Sequence, residues 1–182
     1  MNPIQLPSIV LGSPLIFILL NGCFVSKEMN TASIPAVKSF DLQRFLGTWY
    51  EVARLPHSFE NGLDKVTATY TLRDDGKIDV LNRGFNTVKG EWKEAKGKAR
   101  FKDPSTGTLL EVSFFWIFYS DYKVIILDTM NYSYAMVTSS SKKYLWILSR
   151  TPHLSDAISD TLIRKAGDWG FNISAIYKVP QE

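Results

Sequence analysis

At 182 residues the chain suits one sizeable core and is short for two, and 45% hydrophobic against 21% charged residues excludes a disordered polymer. A net charge of +3, with Lys and Arg scattered along the chain, gives no basis for a nucleic-acid-binding face. An aromatic share of 13% favours strands and an apolar site, while the single cysteine excludes an intrachain disulfide framework and a thiol-based metal cluster.

Residues 9–20 (IVLGSPLIFILL) are almost entirely apolar. They are too few for the roughly 20 residues that cross a bilayer as a helix, and they fit the apolar region of a signal peptide. Leu20-Asn21-Gly22-Cys23 follows directly and resembles the lipobox of bacterial lipoproteins. That resemblance implies cleavage before Cys23, a diacylglyceryl thioether on its sulfur and an acylated new amine. Several acyl chains anchor stably where one is marginal, at ~0.8 kcal/mol per buried methylene. Phe24 stands where an Asp would, by the same resemblance, retain the protein at the inner membrane. The expected location is the outer membrane of a Gram-negative bacterium, facing the periplasm. Small and polar residues through Lys38 read as a tether.

The body begins with a short helical turn over 42–46, capped by Asp41 and ended by Gly47. A strand is expected over 48–55. The clearest strand covers 65–73, where Val66, Ala68, Tyr70 and Leu72 alternate with Thr67, Thr69, Thr71 and Arg73. Asp74-Asp75-Gly76-Lys77 makes a tight hairpin into a third strand over 78–85. Further strands are expected near 90–94, 98–101, 109–115, 122–128, 134–138 and 143–149. Ile158, Leu162, Ala166 and Trp169 then fall on one face of a helix opened by Ser155, and a last short strand covers 173–178. About eight strands in simple succession close readily into a barrel. The fold class is therefore all-β: an eight-stranded antiparallel up-and-down barrel with a C-terminal α-helix packed outside. The expected division is a signal peptide over 1–22, a lipidated tether over 23–38 and a barrel domain over 39–182.

Gly47-Thr48-Trp49-Tyr50-Glu51 matches the Gly-x-Trp signature of lipocalins, and Leu148-Ser149-Arg150 matches their arginine motif. The chain is similar to that family, and the resemblance implies that Arg150 covers Trp49 and closes the barrel floor. The middle motif is matched less closely, with an acidic residue at Asp128 in Leu127-Asp128-Thr129-Met130-Asn131. Longer stretches, GTWYEVAR (47–54), KVTATYTLR (65–73) and YLWILSRTP (144–152), resemble the bacterial outer-membrane branch of the family, which is related to apolipoprotein D.

If Arg150 points inward, Leu148, Trp146 and Tyr144 share its face. By resemblance to ligand-binding lipocalins, Tyr70, Asn82, Phe114 and Trp146 are the candidate pocket residues, with core filling as the competing role for each. The branch implies a fatty acid or a lysophospholipid as ligand; Lys65 and Lys142 are candidates to meet an anionic head group, with solubilising a loop as the favoured role for any single lysine. The loop over 56–64 is long enough to act as a lid. Phe114-Phe115-Trp116-Ile117-Phe118-Tyr119 would form an apolar lip that guards the pocket, dips into the bilayer or makes a homodimer contact. Catalysis is not expected. His57 and His153 belong to no metal-spaced cluster, and Ser139-Ser140-Ser141-Lys142 matches Ser-x-x-Lys without that family's other motifs. Cys23, the sole cysteine, lies outside the barrel. The resemblance implies no cofactor and no metal. A binding protein for lipids is the first reading; an interaction lipoprotein with a filled pocket is the alternative.

Overall fold

The computed structural model describes residues 29–103, 107, 109–115 and 117–182, without the side chain of Phe115. The expected signal peptide, Cys23 and Trp116 lie outside the described residues. The chain opens with α1 (Leu42–Phe45) and continues through β1 (Gly47–Arg54), β2 (Leu63–Leu72), β3 (Ile78–Asn86), β4 (Glu91–Phe101), β5 (Leu110–Phe115), β6 (Phe118–Leu127), β7 (Tyr134–Thr138) and β8 (Leu145–Ser149). Next come α2 (Asp156–Asp168) and a two-residue β9 (Tyr177–Lys178). Each of the first seven strands pairs antiparallel with its successor, and β1 pairs with both β8 and β2, so the sheet closes on itself, while β9 adds to β1. This is the closed barrel with an outer helix that the strand succession predicts.

Local chemistry accounts for the ends of the elements. The Asp41 carboxylate accepts from the backbone N–H groups of Gln43 and Arg44, at 2.9 and 3.4 Å, and starts α1. Gly76, at φ 77°, makes the β2–β3 turn, where Arg73 N–H donates to the Lys77 carbonyl at 2.8 Å. Three expectations are corrected. The strands expected at 90–94 and 98–101 are one strand, β4, paired without interruption to β3. Gly97 lies inside that strand because Phe114 packs so close that a Cβ there would sit 2.8 Å from its ring. The strand expected over 173–178 is a 3₁₀ turn, Ile173–Ala175, leading into β9, with Ile173 packed against Gly167 of α2. Ser155 precedes α2 without a side-chain capping hydrogen bond.

Side-chain alternation divides the apolar residues into two cores. Trp49, Tyr70, Ile78, Val80, Ala99, Leu110, Val124, Val137 and Leu148 point into the barrel. Ala53, Ile125, Met136, Leu145 and Ile147 point out and pack against Ile158, Leu162, Ala166 and Trp169 of α2, the face expected from the sequence. Bulges break the alternation. One in β1 sets both Val52 and Ala53 on the outer core, which returns Arg54 to the interior, opposite Trp146. One in β6 does the same for Ile125 and Ile126 and returns Leu127 to the interior.

The stretch read as a tether is fastened to the barrel from Asn30 onward. Asn30 bridges Ser141 in the β7–β8 connection, Thr31 N–H donates to the Ser140 carbonyl at 3.1 Å, and Ile34 is buried in the outer core. The Lys123 ammonium holds the Thr31 and Ile34 carbonyls at 2.8 and 3.0 Å.

One end of the barrel is sealed. The Arg150 guanidinium lies 3.9 Å over the Trp49 ring and donates to the carbonyls of Arg44, Leu46 and Thr48 at 2.6, 2.9 and 2.9 Å. Trp49 Nε1–H donates to the Phe45 carbonyl at 2.8 Å, and the two rings are 4.8 Å apart. Beside it, Asp128 anchors the β6–β7 turn: its carboxylate takes the Ser133 hydroxyl at 2.6 Å and three backbone N–H groups, which holds its pKa below the usual range. Arg150→Ala removes the stacked cation and strands three carbonyls, and is expected to cost about 2 kcal/mol of stability in urea denaturation. An unchanged midpoint would show that the floor closes without it.

Candidate ligand-binding site

The strand directions place the connections after β1, β3, β5 and β7 at the end opposite Arg150, so that end is the mouth. Inside, a crossbar separates floor from mouth. Tyr70 of β2 and Tyr122 of β6 stand on opposite walls, and their hydroxyls meet at 2.7 Å. Burial pushes both phenols well above the ordinary value, so both stay neutral and satisfy each other in a dry interior. Below the crossbar, Phe45, Trp49 and Leu127 fill the floor.

Above the crossbar the wall is uneven. On β4 the middle inward positions are small, Ala95, Gly97 and Ala99, set by their pairing with Asn82, Val80 and Ile78, and they lie between Lys93 towards the mouth and Phe101 towards the floor. Residues 91–96 are exposed on both faces of the strand, so the inward side of β4 meets open space and not packed side chains. The barrel is therefore a cup, open along the mouth half of β4, while the inward positions of β3 (Ile78, Val80, Gly84 and Asn86) are buried. Phe114 packs over Gly97 on its inner wall. Asn82 lies in the same wall, and its buried Oδ1 has no hydrogen-bond partner among the described residues. A depression of about 500 Å³ runs over β2–β5, where the outward-alternating Thr69, Thr71, Asp79, Lys96 and Lys98 meet Val80, Gly97 and Phe114, so its lining is mixed polar and apolar.

The opposite side of the mouth carries a lid, the β1–β2 loop with its 3₁₀ turn Ser58–Glu60. Ionic groups buried inside the barrel fasten it. Arg54 donates to Glu51 Oε1 at 2.7 Å and to the carbonyls of Glu60 and Leu63 at 3.0 and 2.9 Å. Glu60 Oε2 accepts from Trp146 Nε1–H at 3.2 Å and lies 2.9 Å from His57 Nε2, without the alignment of a hydrogen bond. The His57 ring stacks on Phe59 at 3.8 Å, and Tyr144 stacks on Trp146 at 6.0 Å. Burial, reinforced by the neighbouring Glu60 carboxylate, pushes Glu51 up to about 8 against the pull of Arg54.

The four candidate pocket residues thus take different places. Tyr70 forms half of the crossbar. Asn82 and Phe114 line the open wall, and Trp146 lies under the lid with its N–H held by Glu60. Glu51, Arg54, His57 and Glu60 were missed as site residues. Alternation from Trp49 could have placed Glu51 inward, but Arg54 needs the bulge, which nothing in GTWYEVAR announces. Of the two lysines proposed for a head group, Lys65 sits in the β2 bulge at φ 51°, its N–H donating to the Pro180 carbonyl at 2.7 Å. Lys142 lies at the mouth, its N–H donating to the Met29 carbonyl at 2.7 Å. His153 is exposed on the outside, 2.6 Å from Glu182.

An eight-stranded antiparallel barrel with a cation-sealed floor, an open cup and an outer helix is the architecture of lipocalins. A lipocalin-like domain model matches residues 40–181, and the chain belongs to the lipocalin family. Over 165 residues it is 50% identical to the outer membrane lipoprotein Blc of Vibrio cholerae, covering 91% of this chain and 94% of that one. It is 48% identical over 148 residues to the Escherichia coli K12 protein of the same name, covering 81% and 83%. Among solved structures, apocrustacyanin C2 superposes with a TM-score of 0.65 at 16% identity, covering 78% of this chain and 80% of that one, a likeness of fold alone.

Glu51 gives stability a pH dependence of definite sign. Its folded pKa stands above the ordinary 4.5, so the folded state holds this proton more tightly than the unfolded chain. The resulting stabilisation is complete below about 4.5 and is lost as pH rises towards about 8. Glu51→Gln keeps an oxygen acceptor for Arg54 and is expected to flatten that decline in thermal melts across this window. A slope identical to that of the parent protein would assign the dependence to another group.

Proposed function

We propose that this chain is a lipid-binding lipoprotein of the outer membrane of a Gram-negative bacterium, held by acylated Cys23 and carrying fatty acids or lysophospholipids in the service of envelope maintenance. The observation that carries the reading is the exposed inward side of β4, where Ala95 faces space beside the apolar side chains of Val80, Val112 and Phe114. An acyl chain is a ligand of the matching shape and polarity. Asn82 Oδ1, buried and without a hydrogen-bond partner among the described residues, and the lid lie on the mouth side of the crossbar, where a polar head would sit. The names of the relatives support the outer membrane as location and lipidation as the anchor. Binding, not catalysis, is the proposed activity. Glu51, Arg54 and Glu60 are engaged in fastening the lid, and Trp146 with them.

A titration of the chain lacking residues 1–23 with lysophospholipid and with a long-chain fatty acid, followed by tryptophan fluorescence, tests this. Saturable quenching near one ligand per chain is expected, and it should be blunted in Trp146→Ala. Ala95→Trp should fill the cup and weaken binding by at least ~10-fold, a loss of about 1.4 kcal/mol, with the melting temperature unchanged. A flat response from the folded parent protein would discard the lipid reading and favour an interaction lipoprotein with a closed interior.

A further inference from the structure

We infer that the mouth of the barrel, not its floor, is the surface that docks on the membrane, and that its apolar loop tips enter the leaflet that holds the chain's own acyl anchor. The inference rests on the reading of Cys23 as acylated and deepens it by assigning an orientation and a contact surface.

Two independent observations converge on the same end of the molecule. The first is where the N-terminal segment is fastened. Asn30 bridges Ser141, and Lys142 N–H donates to the Met29 carbonyl at 2.7 Å, both in the connection between β7 and β8 at the mouth. Cys23 precedes Met29 by six residues. Six residues reach at most about 20 Å when fully extended. The barrel wall is longer. A strand of 11 residues such as β4 spans roughly 36 Å, or about 27 Å of height at the usual tilt. A chain that leaves the barrel at the mouth therefore has too little length to pass its floor, and the floor cannot be turned towards the bilayer in which Cys23 is set.

The second observation is the distribution of exposed large apolar side chains. Phe59 in the lid, Val88 in the β3–β4 turn, and Ile117 and Phe118 in the β5–β6 turn are 62, 87, 72 and 75% exposed, all at the mouth. At the floor Met130 is the comparable tip, at 82%. Apolar tips left in water are unfavourable, and a bilayer removes them from it without needing a complementary protein surface. Lys89 and Lys143, both exposed, flank these tips where lipid phosphates would lie. Glu91 is the exposed acidic residue among them. Mouth-down docking also joins the cup to the bilayer, so an acyl chain passes between them without crossing water.

The test uses the full acylated chain in vesicles of phosphatidylethanolamine and phosphatidylglycerol, with a fluorophore on one introduced cysteine. Acylated Cys23 has no free thiol, so Val88→Cys at the mouth and Met130→Cys at the floor each give a single labelled site. With spin-labelled lipid as quencher, the Val88→Cys label is expected to be quenched several-fold more than the Met130→Cys label. Replacing Ile117 and Phe118 together by Ser should reduce that quenching with an unchanged melting temperature. Equal quenching at the two sites, or the reverse order, overturns the inference. So does energy transfer between copies without lipid quenching, which would assign the tips to a second copy of the chain. Mass spectrometry of the same preparation separates the two readings. An unmodified Cys23 overturns the acyl anchor, and the Val88→Cys label in a Cys23→Ser background with added vesicles then decides the surface: quenching retains it and no quenching removes it.

Discussion

Arg150 closes one end of the barrel, and the rest of the architecture is organised from that closure. Its guanidinium stacks on Trp49 while taking the carbonyls of residues 44, 46 and 48, so one side chain joins α1, β1 and the end of β8. A closed sheet has one finite interior shared by every inward side chain. With the floor sealed and packed by Phe45, Trp49 and the Tyr70–Tyr122 crossbar, whatever free volume remains must lie at the other end.

That remaining half is asymmetric for a physical reason. The β1–β8 side of the mouth is occupied by the lid and by a buried ionic cluster whose charges must be paired to be tolerated away from water. Arg54 meets this demand by reaching Glu51 and two lid carbonyls at once. The β4 side carries Ala95, which faces open space, and Gly97, which is covered by Phe114. Small residues on one wall and a fastened lid on the other make a cup with a defined entrance. The polar groups serve its shape and leave the apolar wall for the ligand.

The same end gathers the features that join the barrel to its surroundings. The N-terminal segment ties into the β7–β8 connection, and the exposed apolar tips of the lid, of the β3–β4 turn and of the β5–β6 turn surround the entrance. Hydrogen bonding of residues 29–31 across the mouth, with Ile34 buried against the outer core, converts most of a nominal tether into part of the domain and shortens the reach of what precedes it.

By itself the sequence determined most of the strand succession and the outer helix, because alternation with a period of two and turn chemistry are local. The strand over 65–73 and the face through Ile158, Leu162, Ala166 and Trp169 were legible for that reason, whereas the sealing pair Trp49 and Arg150 was legible only through the resemblance of its two motifs to lipocalins. Tertiary structure alone decided that Gly97 belongs inside one long strand, since the cause is the ring of Phe114 pressed against it from β5. It also decided that Arg54 faces inward, since a bulge shifts the alternation by one residue and depends on pairing with β8. His57 and Glu60 looked like ordinary loop residues and became part of the lid only when Trp146 and Arg54 were brought to them. Contacts between residues so far apart in the chain leave no local pattern, and the lid and the crossbar consist of such contacts.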